Sequence, residues 1–374
     1  MKLNLLEGFR GYMALWVVFY HASGFLPQLG TGNPVYRFLF DGILPVVGFI
    51  ILSGFVTHIL LDKKEDFKTY IYRRALRLFP IFLATFFVSL LMLDFAYSVL
   101  EQLPFDNKKI EMRKELIMMY YESNRFLNIL SHLTLTHGLF PNNIFPFTYT
   151  IMGQSWSLTL EWQFYLFIPI VYKLLSKEER DKGWKINLIL LISFLVMVFW
   201  SFGNMPQNSF LPFLVHYFLV GFFSYSFYKQ YRDYGDKKLF YFLILVAIGY
   251  FFLYRVNVSI IILLFMMILY FQINQNRIIN KIFGSKVPLF LGKISYSVYC
   301  THMIVLYIIG GGINYLKISD LTHGKYLYIV LFLASSMIFT IILSHFTYKY
   351  IEEYFIKIGK NLNRSHNKSP SANV

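Results

Sequence analysis

A single cysteine, Cys300, stands in 374 residues. An intramolecular disulfide is excluded, and so is every metal motif built on clustered cysteines. Charge is scarce as well. Asp, Glu, Lys and Arg make up 15% of the chain, against about 25% in a soluble domain. Acidic residues are the scarcest part, 20 against 35 lysines and arginines. No G-x-S-x-G, H-E-x-x-H, Walker A or G-x-G-x-x-G pattern occurs. A nucleophile elbow, a zincin helix, a phosphate-cradling P-loop and a dinucleotide turn are thereby removed. No histidine has an aspartate five positions on, so an H-x-x-x-x-D acyl-transfer site is absent too.

What the chain does have is apolar surface: 56% of its residues are hydrophobic and 20% are aromatic. That composition describes a membrane protein. The net charge of +15 would suit a nucleic-acid partner, but the basic residues lie in short blocks between apolar runs, as membrane loops do, and no nucleic-acid partner is expected. The first apolar run holds Trp16, Tyr20 and His21 without a small-x-small cleavage site, so no cleaved signal peptide is expected.

Ten apolar runs are read as spans: 10–28, 42–61, 78–94, 149–172, 186–204, 209–228, 239–254, 256–273, 287–309 and 326–348. Each has about 16 to 24 residues, against the roughly 20 that cross a bilayer. Continuous rather than alternating hydrophobicity makes them helices, not barrel strands. With the N-terminus inside, 25 of the 35 lysines and arginines fall on the cytoplasmic side and 9 outside. This asymmetry predicts an all-α integral membrane bundle of about ten helices with both termini cytoplasmic. It requires residues 126–147 to be a re-entrant or interfacial part of a long outer loop. Residues 1–358 form the membrane domain, and 359–374 are expected to be a disordered cytoplasmic tail.

Ionisable residues inside such runs mark candidate chemistry. Lys293 lies about 9 Å from its helix start and can snorkel to the surface. Glu161, in "SWSLTLEWQFYLF", falls about 18 Å into a span counted from Tyr149. There a carboxylate must be protonated, paired or facing water, so its alternatives are a structural tie between helices and a functional group. In "RGYMALWVVFYH", Arg10 and His21 are eleven residues apart. They lie about 16 Å apart along one helix face. His302, in "LGKISYSVYCTHMIV", reaches about 22 Å from its cytoplasmic helix start by the same rise. In "YRRALRLFP", Arg74 and Arg77 share a face at a helix start while Arg73 points elsewhere. Lipid anchoring accounts for such a cluster. Together with Arg10 the two arginines can equally hold a phosphorylated ligand. Ser53 and Gly54, in "GFIILSGF", permit close approach of either a helix or a ligand.

The stretches "FRGYMALWVVFYH", "GFIILSGF", "RRALRLFP", "WSLTLEWQFYLFIPI" and "LGKISYSVYCTHMIV" occur in the order seen in the membrane acyltransferase 3 family of bacterial O-acyltransferases. The chain resembles that family over roughly residues 5–353, in its stand-alone form without a fused extracytoplasmic domain. The resemblance implies a bacterial cytoplasmic (inner) membrane enzyme that moves an acyl group, usually acetyl, from acetyl-CoA to a hydroxyl of a cell-envelope glycan such as O-antigen. Acetyl-CoA (acyl-CoA) would be the donor substrate, with no permanently bound cofactor and no metal. A cell-envelope or lipid-linked glycan and membrane lipids would be the other partners.

By motif, the resemblance carries over to Arg10 and His21, Ser53 and Gly54, Arg74 and Arg77, Trp156, Ser157 and Glu161, and Tyr296, Tyr299 and His302. The family's closing Y-x-E-x-P motif reads "YIEEY" here, so Glu352 fits and Tyr354 replaces the proline. The roles implied are acyl-CoA binding for Arg10, Arg74 and Arg77, and catalysis for His21 and Glu161. His21 would be a general base or the bearer of an acyl intermediate, with Glu161 orienting it. Ser53, Gly54, Trp156, Tyr296, His302 and Glu352 would line the pocket or acceptor path. A proton-coupled transporter, and an acyltransferase acting on a lipid or small molecule, remain open alternatives.

Overall fold

Helix starts in this chain are set by polar side chains that accept hydrogen bonds from exposed first-turn amides. Asp66 accepts from the amides of Lys68 and Thr69, Asn124 from Leu127 and Asn276 from Ile278 and Ile279. The structure, a computed structural model, describes residues 3–27, 34–63, 66–105, 107–139, 145–174, 209–253, 256–317 and 324–366. The expected span 186–204 lies outside them.

The helices are α1 (Asn4–Ala22), α2 (Pro34–Leu39), α3 (Ile43–Asp62), α4 (Phe67–Leu91), α5 (Leu93–Glu101), α6 (Lys108–Glu122) and α7 (Arg125–Leu133). They continue with α8 (Trp156–Leu174), α9 (Leu211–Tyr234), α10 (Lys238–Phe252), α11 (Val256–Ile273), α12 (Arg277–Phe283) and α13 (Lys286–Tyr315). Last come α14 (Gly324–Thr347) and α15 (Glu353–His366), joined through a π-helical turn at Tyr348–Glu352. No strand occurs among the described residues.

Among the described residues, six helical rods are long and apolar enough to cross a bilayer: α3, α4, α9, α11, α13 and the continuous rod Tyr326–Asn361. Their outward faces carry exposed Leu91, Leu245 and Val330 along with neighbouring helices, a surface suited to lipid rather than water. Helix α10 is apolar but has only 15 residues, about 22 Å at 1.5 Å per residue.

Helix α1, which carries Glu7 and Arg10, sits inside the bundle, against α3, α11, α12, α13 and α14. Phe9, Val18 and Ala22 are fully buried there. Its closest neighbour is α13, and small residues set that distance. A Cβ on Gly292 would lie 2.0 Å from the Glu7 carbonyl oxygen, so only glycine admits this approach. Arg10 then meets Ser295 and His21 meets His302, so the two helices run in the same direction.

Several expected boundaries move for local reasons. The Asp66 cap starts α4 at Phe67, so Arg74 and Arg77 lie two to three turns inside it rather than at a helix start. Residues 149–155 are turns and a 3₁₀ segment, so α8 starts at Trp156. Thr150 donates to Asn128 and to the Phe147 carbonyl there, bonds that compete with a helical backbone. Glu161 is therefore five residues into α8, about 7.5 Å from its start rather than 18 Å. The nine-residue α7 is too short to cross, and the chain turns back at Leu135, whose φ is 55°. It folds onto the start of α8, where the His137 ring bonds Ser155. Within the expected disordered tail, residues 359–366 are helical as the end of α15, because Gly359 packs on Arg73 and Leu76 of α4.

Candidate functional site

Two cavities lie along α1, one beside Arg10 and one beside His21. The first, about 240 Å³, is lined by Arg10, Arg73, Arg74, Arg77 and Lys360, with Ser53, Glu161 and Tyr165 opposite. Five cations from α1, α4 and α15 thus converge on one space. Arg73, expected to point elsewhere, joins the other arginines. Helix α15 completes the wall with Ile356, Gly359 and Lys360.

The cations are held by aromatic faces and nearby carboxylates. The Arg10 Nε donates to Ser295 Oγ at 2.8 Å and its Nη1 pairs with Glu7 at 3.4 Å. The Arg74 guanidinium lies 4.9 Å from the Tyr165 ring centre, a cation–π arrangement. Arg77 interacts electrostatically with Glu352, Glu161 and Glu7. Glu352 is buried, presented by the π-helical turn, and its Oε2 accepts from Ser297 at 2.7 Å. Guanidinium groups in this number suit phosphate groups, which they bind as a planar fork.

Glu161 belongs to this cavity. One carboxylate oxygen accepts from Ser53 Oγ at 2.8 Å and from the Tyr165 hydroxyl. It is therefore not the partner of His21, which lines the other space. Tyr296 also lies on the arginine side, and its hydroxyl is committed to the Leu78 carbonyl at 2.7 Å. Gly54 lines neither cavity. A Cβ there would meet the Phe218 carbonyl at 2.0 Å, and one on Gly221 would meet that of Ile51 at 1.8 Å, so this pair locks α3 against α9. Lys293 pairs with Glu353 at 3.6 Å with its side chain half-exposed.

The second cavity, about 330 Å³, is lined by Tyr20, His21, Lys109, Arg113, Gln154 and Trp156 among others. This mixture of aromatic and hydrogen-bonding surface matches a small polar ligand. The His302 ring is buried 5.0 Å from that of His21. Its Nδ1 lies 3.1 Å from the Val298 carbonyl. A carbonyl only accepts, so Nδ1 carries the proton and Nε2 is a bare acceptor. No hydrogen bond fills that Nε2 among the described residues.

Val46 and Tyr299 line both cavities. The Tyr299 hydroxyl bonds Ser157 Oγ at 2.7 Å and donates to the Gln154 carbonyl. A fixed phenol ring thus stands between the arginines and the histidines. Both helices contribute to both walls: Arg10 and Ser295 line the arginine cavity, and His21 of α1 lines the histidine cavity with Met303, Ile304 and Tyr307 of α13.

Sequence reasoning missed Lys109, Arg113, Arg73, Tyr165 and Lys360 as wall residues. Lys109 and Arg113 are four apart on α6, a spacing that puts them on one face, and that was the available signal. His132 and His137 stack at 4.1 Å and are buried away from both cavities.

Residues 3–345 match the family model described as an acyltransferase domain. A provisionally named acetyltransferase of Acidianus two-tailed virus is 26% identical over 318 residues, 80% of this chain and 82% of the relative. A provisionally named O-acetyltransferase of Staphylococcus aureus (strain COL) is 24% identical over 385 aligned positions. That alignment takes in 95% of this chain and 57% of the relative, so the chain spans little more than half of that protein. A regulator of hypoxia-inducible factor 1 from Caenorhabditis elegans is 26% identical over 52% of this chain and 39% of its own length. No solved structure matches.

Proposed function

The chain belongs to this acyltransferase family and is a multi-pass membrane enzyme, and from that premise we propose that it carries an acyl group, most simply acetyl, from acyl-CoA to a hydroxyl of a cell-envelope glycan such as O-antigen. The observation that carries the reading is the meeting of an arginine cavity and a histidine cavity at Val46 and Tyr299. The two lie beside one helix whose Arg10 and His21 are about 16 Å apart.

In this mechanism acyl-CoA enters the arginine cavity, where Arg10, Arg74 and Arg77 hold its phosphates. The pantetheine arm runs toward Tyr299 and places the thioester carbonyl near His21. An acceptor hydroxyl enters the histidine cavity and attacks that carbonyl carbon. The C–O bond forms, the C–S bond breaks, and the hydroxyl proton passes to the His21 ring and from there to the departing CoA thiolate. His302 fixes the position of the His21 ring. Glu161, tied to Ser53 and Tyr165, positions the donor pocket rather than the imidazole.

The same reading sets the arrangement in the membrane. About ten helices cross a bacterial inner membrane, both termini face the cytoplasm, and the arginine cavity opens inward. The test is transfer of labelled acetyl from acetyl-CoA into envelope glycan by membranes containing the protein, with the glycan examined for O-acetyl signals. Appearance of label in the glycan supports the assignment. Unlabelled glycan from membranes that contain intact protein and acceptor refutes it.

A further inference from the structure

Helix α6 divides its charges between two faces. Lys114 pairs with Glu111 at 2.9 Å on the outer face. Lys109 and Arg113 instead line the histidine cavity. Neither has a carboxylate within ion-pair distance among the described residues. Lys109 Nζ donates to Ser23 Oγ at 3.1 Å and sits 4.2 Å from the Tyr20 ring centre. The Arg113 Nη2 donates to the His21 carbonyl at 3.0 Å, with the guanidinium over the Phe25 ring at 4.7 Å. The other terminal nitrogen, Nη1, is shielded from solvent and has no hydrogen-bond partner.

An unpaired buried guanidinium is costly, and an orphaned N–H inside protein is more so. The fold nevertheless builds this one in deliberately. Gly24, in the 3₁₀ turn that follows His21, leaves room for the guanidinium, because a Cβ there would lie 2.8–2.9 Å from three of its atoms. Burial, and secondarily the charge of Arg113, push the Lys109 amine down to about 8. Two cations therefore hold each other at a disadvantage in one cavity, and a negative group between them relieves both.

We propose that Lys109 and Arg113 form a subsite for an anionic group of the acceptor, a phosphate or a carboxylate, next to the hydroxyl presented to His21. The inference rests on the histidine cavity being the acceptor side. It makes the acceptor a charged glycan or sugar phosphate rather than a neutral one. The Arg113 fork binds the anion through Nη1, Lys109 adds a point charge, and Tyr20 and Trp156 cover the sugar faces.

Trp156 lines the cavity and supplies a fluorescence readout that needs no turnover. The full chain in nanodiscs is titrated with glucose 1-phosphate, glucuronate and methyl glucoside, with CoA saturating the arginine cavity. A Trp156→Phe control identifies the cavity signal. The expected result is tighter binding of one or both anionic sugars than of the neutral one. In Lys109→Met/Arg113→Met that preference falls by roughly 10- to 100-fold. Preference for the phosphate or for the carboxylate names the source of the charge. Arg113→Lys, which keeps the charge and loses the fork, shows a partial loss and serves if the double variant does not fold. Equal binding of charged and neutral sugars overturns the proposal. So does a variant that loses turnover yet keeps the anion preference, which would make the pair transition-state stabilisers. CoA binding, measured separately, reports on the donor reading. Its failure leaves the anion preference observable in an Arg74→Ala/Arg77→Ala background.

Discussion

The two cavities are both basic but carry their charge differently. Around the arginine cavity carboxylates stand among the cations: Glu7 pairs with Arg10, and Glu352 and Glu161 act on Arg77, while Arg74 rests on an aromatic face. Around the histidine cavity Lys109 and Arg113 have hydroxyl, carbonyl and aromatic partners but no counter-charge among the described residues. A compensated cluster keeps its geometry when empty, so it can bind and release a polyanion repeatedly. An uncompensated pair lies higher in energy until an anion arrives, and so rewards a charged ligand over a neutral one. On the proposed reading, the same residue types would serve turnover of a donor at one end and choice of an acceptor at the other.

Removing His21 should separate the two ends most sharply. In His21→Ala, acyl transfer should fall by about 10²- to 10⁴-fold while CoA binding persists, as kinetics and equilibrium binding on one preparation would show. Retained transfer would place the base elsewhere. Arg74→Ala/Arg77→Ala should do the converse, raising the apparent KM for acyl-CoA about 10- to 100-fold with less effect on kcat. An unchanged KM would leave these arginines as lipid anchors.

Tyr299→Phe tests the wall between the cavities. Loss of the bonds to Ser157 and Gln154 should lower stability by about 1 kcal/mol, read as a drop in melting temperature. It should also raise acceptor-independent hydrolysis of acyl-CoA, because water then reaches the thioester. The smallest effect is expected from pH. Lys109 is charged below about 8 and neutral above it. It lies over the Tyr20 ring and shares its cavity with Tyr149, His21 of α1, Arg113 of α6 and Tyr307 of α13. Glucuronate keeps one charge throughout this range, so its affinity should decline as pH rises through about 8, and the decline should vanish in Lys109→Met.

The long apolar runs were legible because hydrophobicity in lipid leaves one backbone solution. The run 256–273 is α11 to the residue, and 42–61 is α3 displaced by one position. Where polar side chains compete with the helix the reading slipped, as at Thr150 and at the Asp66 cap. The ionisable residues of α1 and α13 stood out because such groups are rare within apolar runs. Glu161 was paired with His21, whereas it bonds Ser53 and Tyr165, since depth along a helix does not say which neighbour a side chain meets. Gly54 was ambiguous for the same reason, and only the Phe218 carbonyl beside it decides in favour of packing. Lys109 and Arg113 looked like ordinary loop charges. Their place in the cavity wall depends on α6 packing on the turn that ends α1, which no local pattern encodes.

The lone thiol of Cys300 is wholly buried beside Tyr299. Shielded in this way, it should stay silent toward bulky water-soluble maleimides. Reporter cysteines placed one at a time in the connecting loops can then be labelled from either side of sealed cells against an unreactive background. The handedness of the whole transfer route, from which compartment the donor comes and into which the product leaves, becomes readable without removing any native residue.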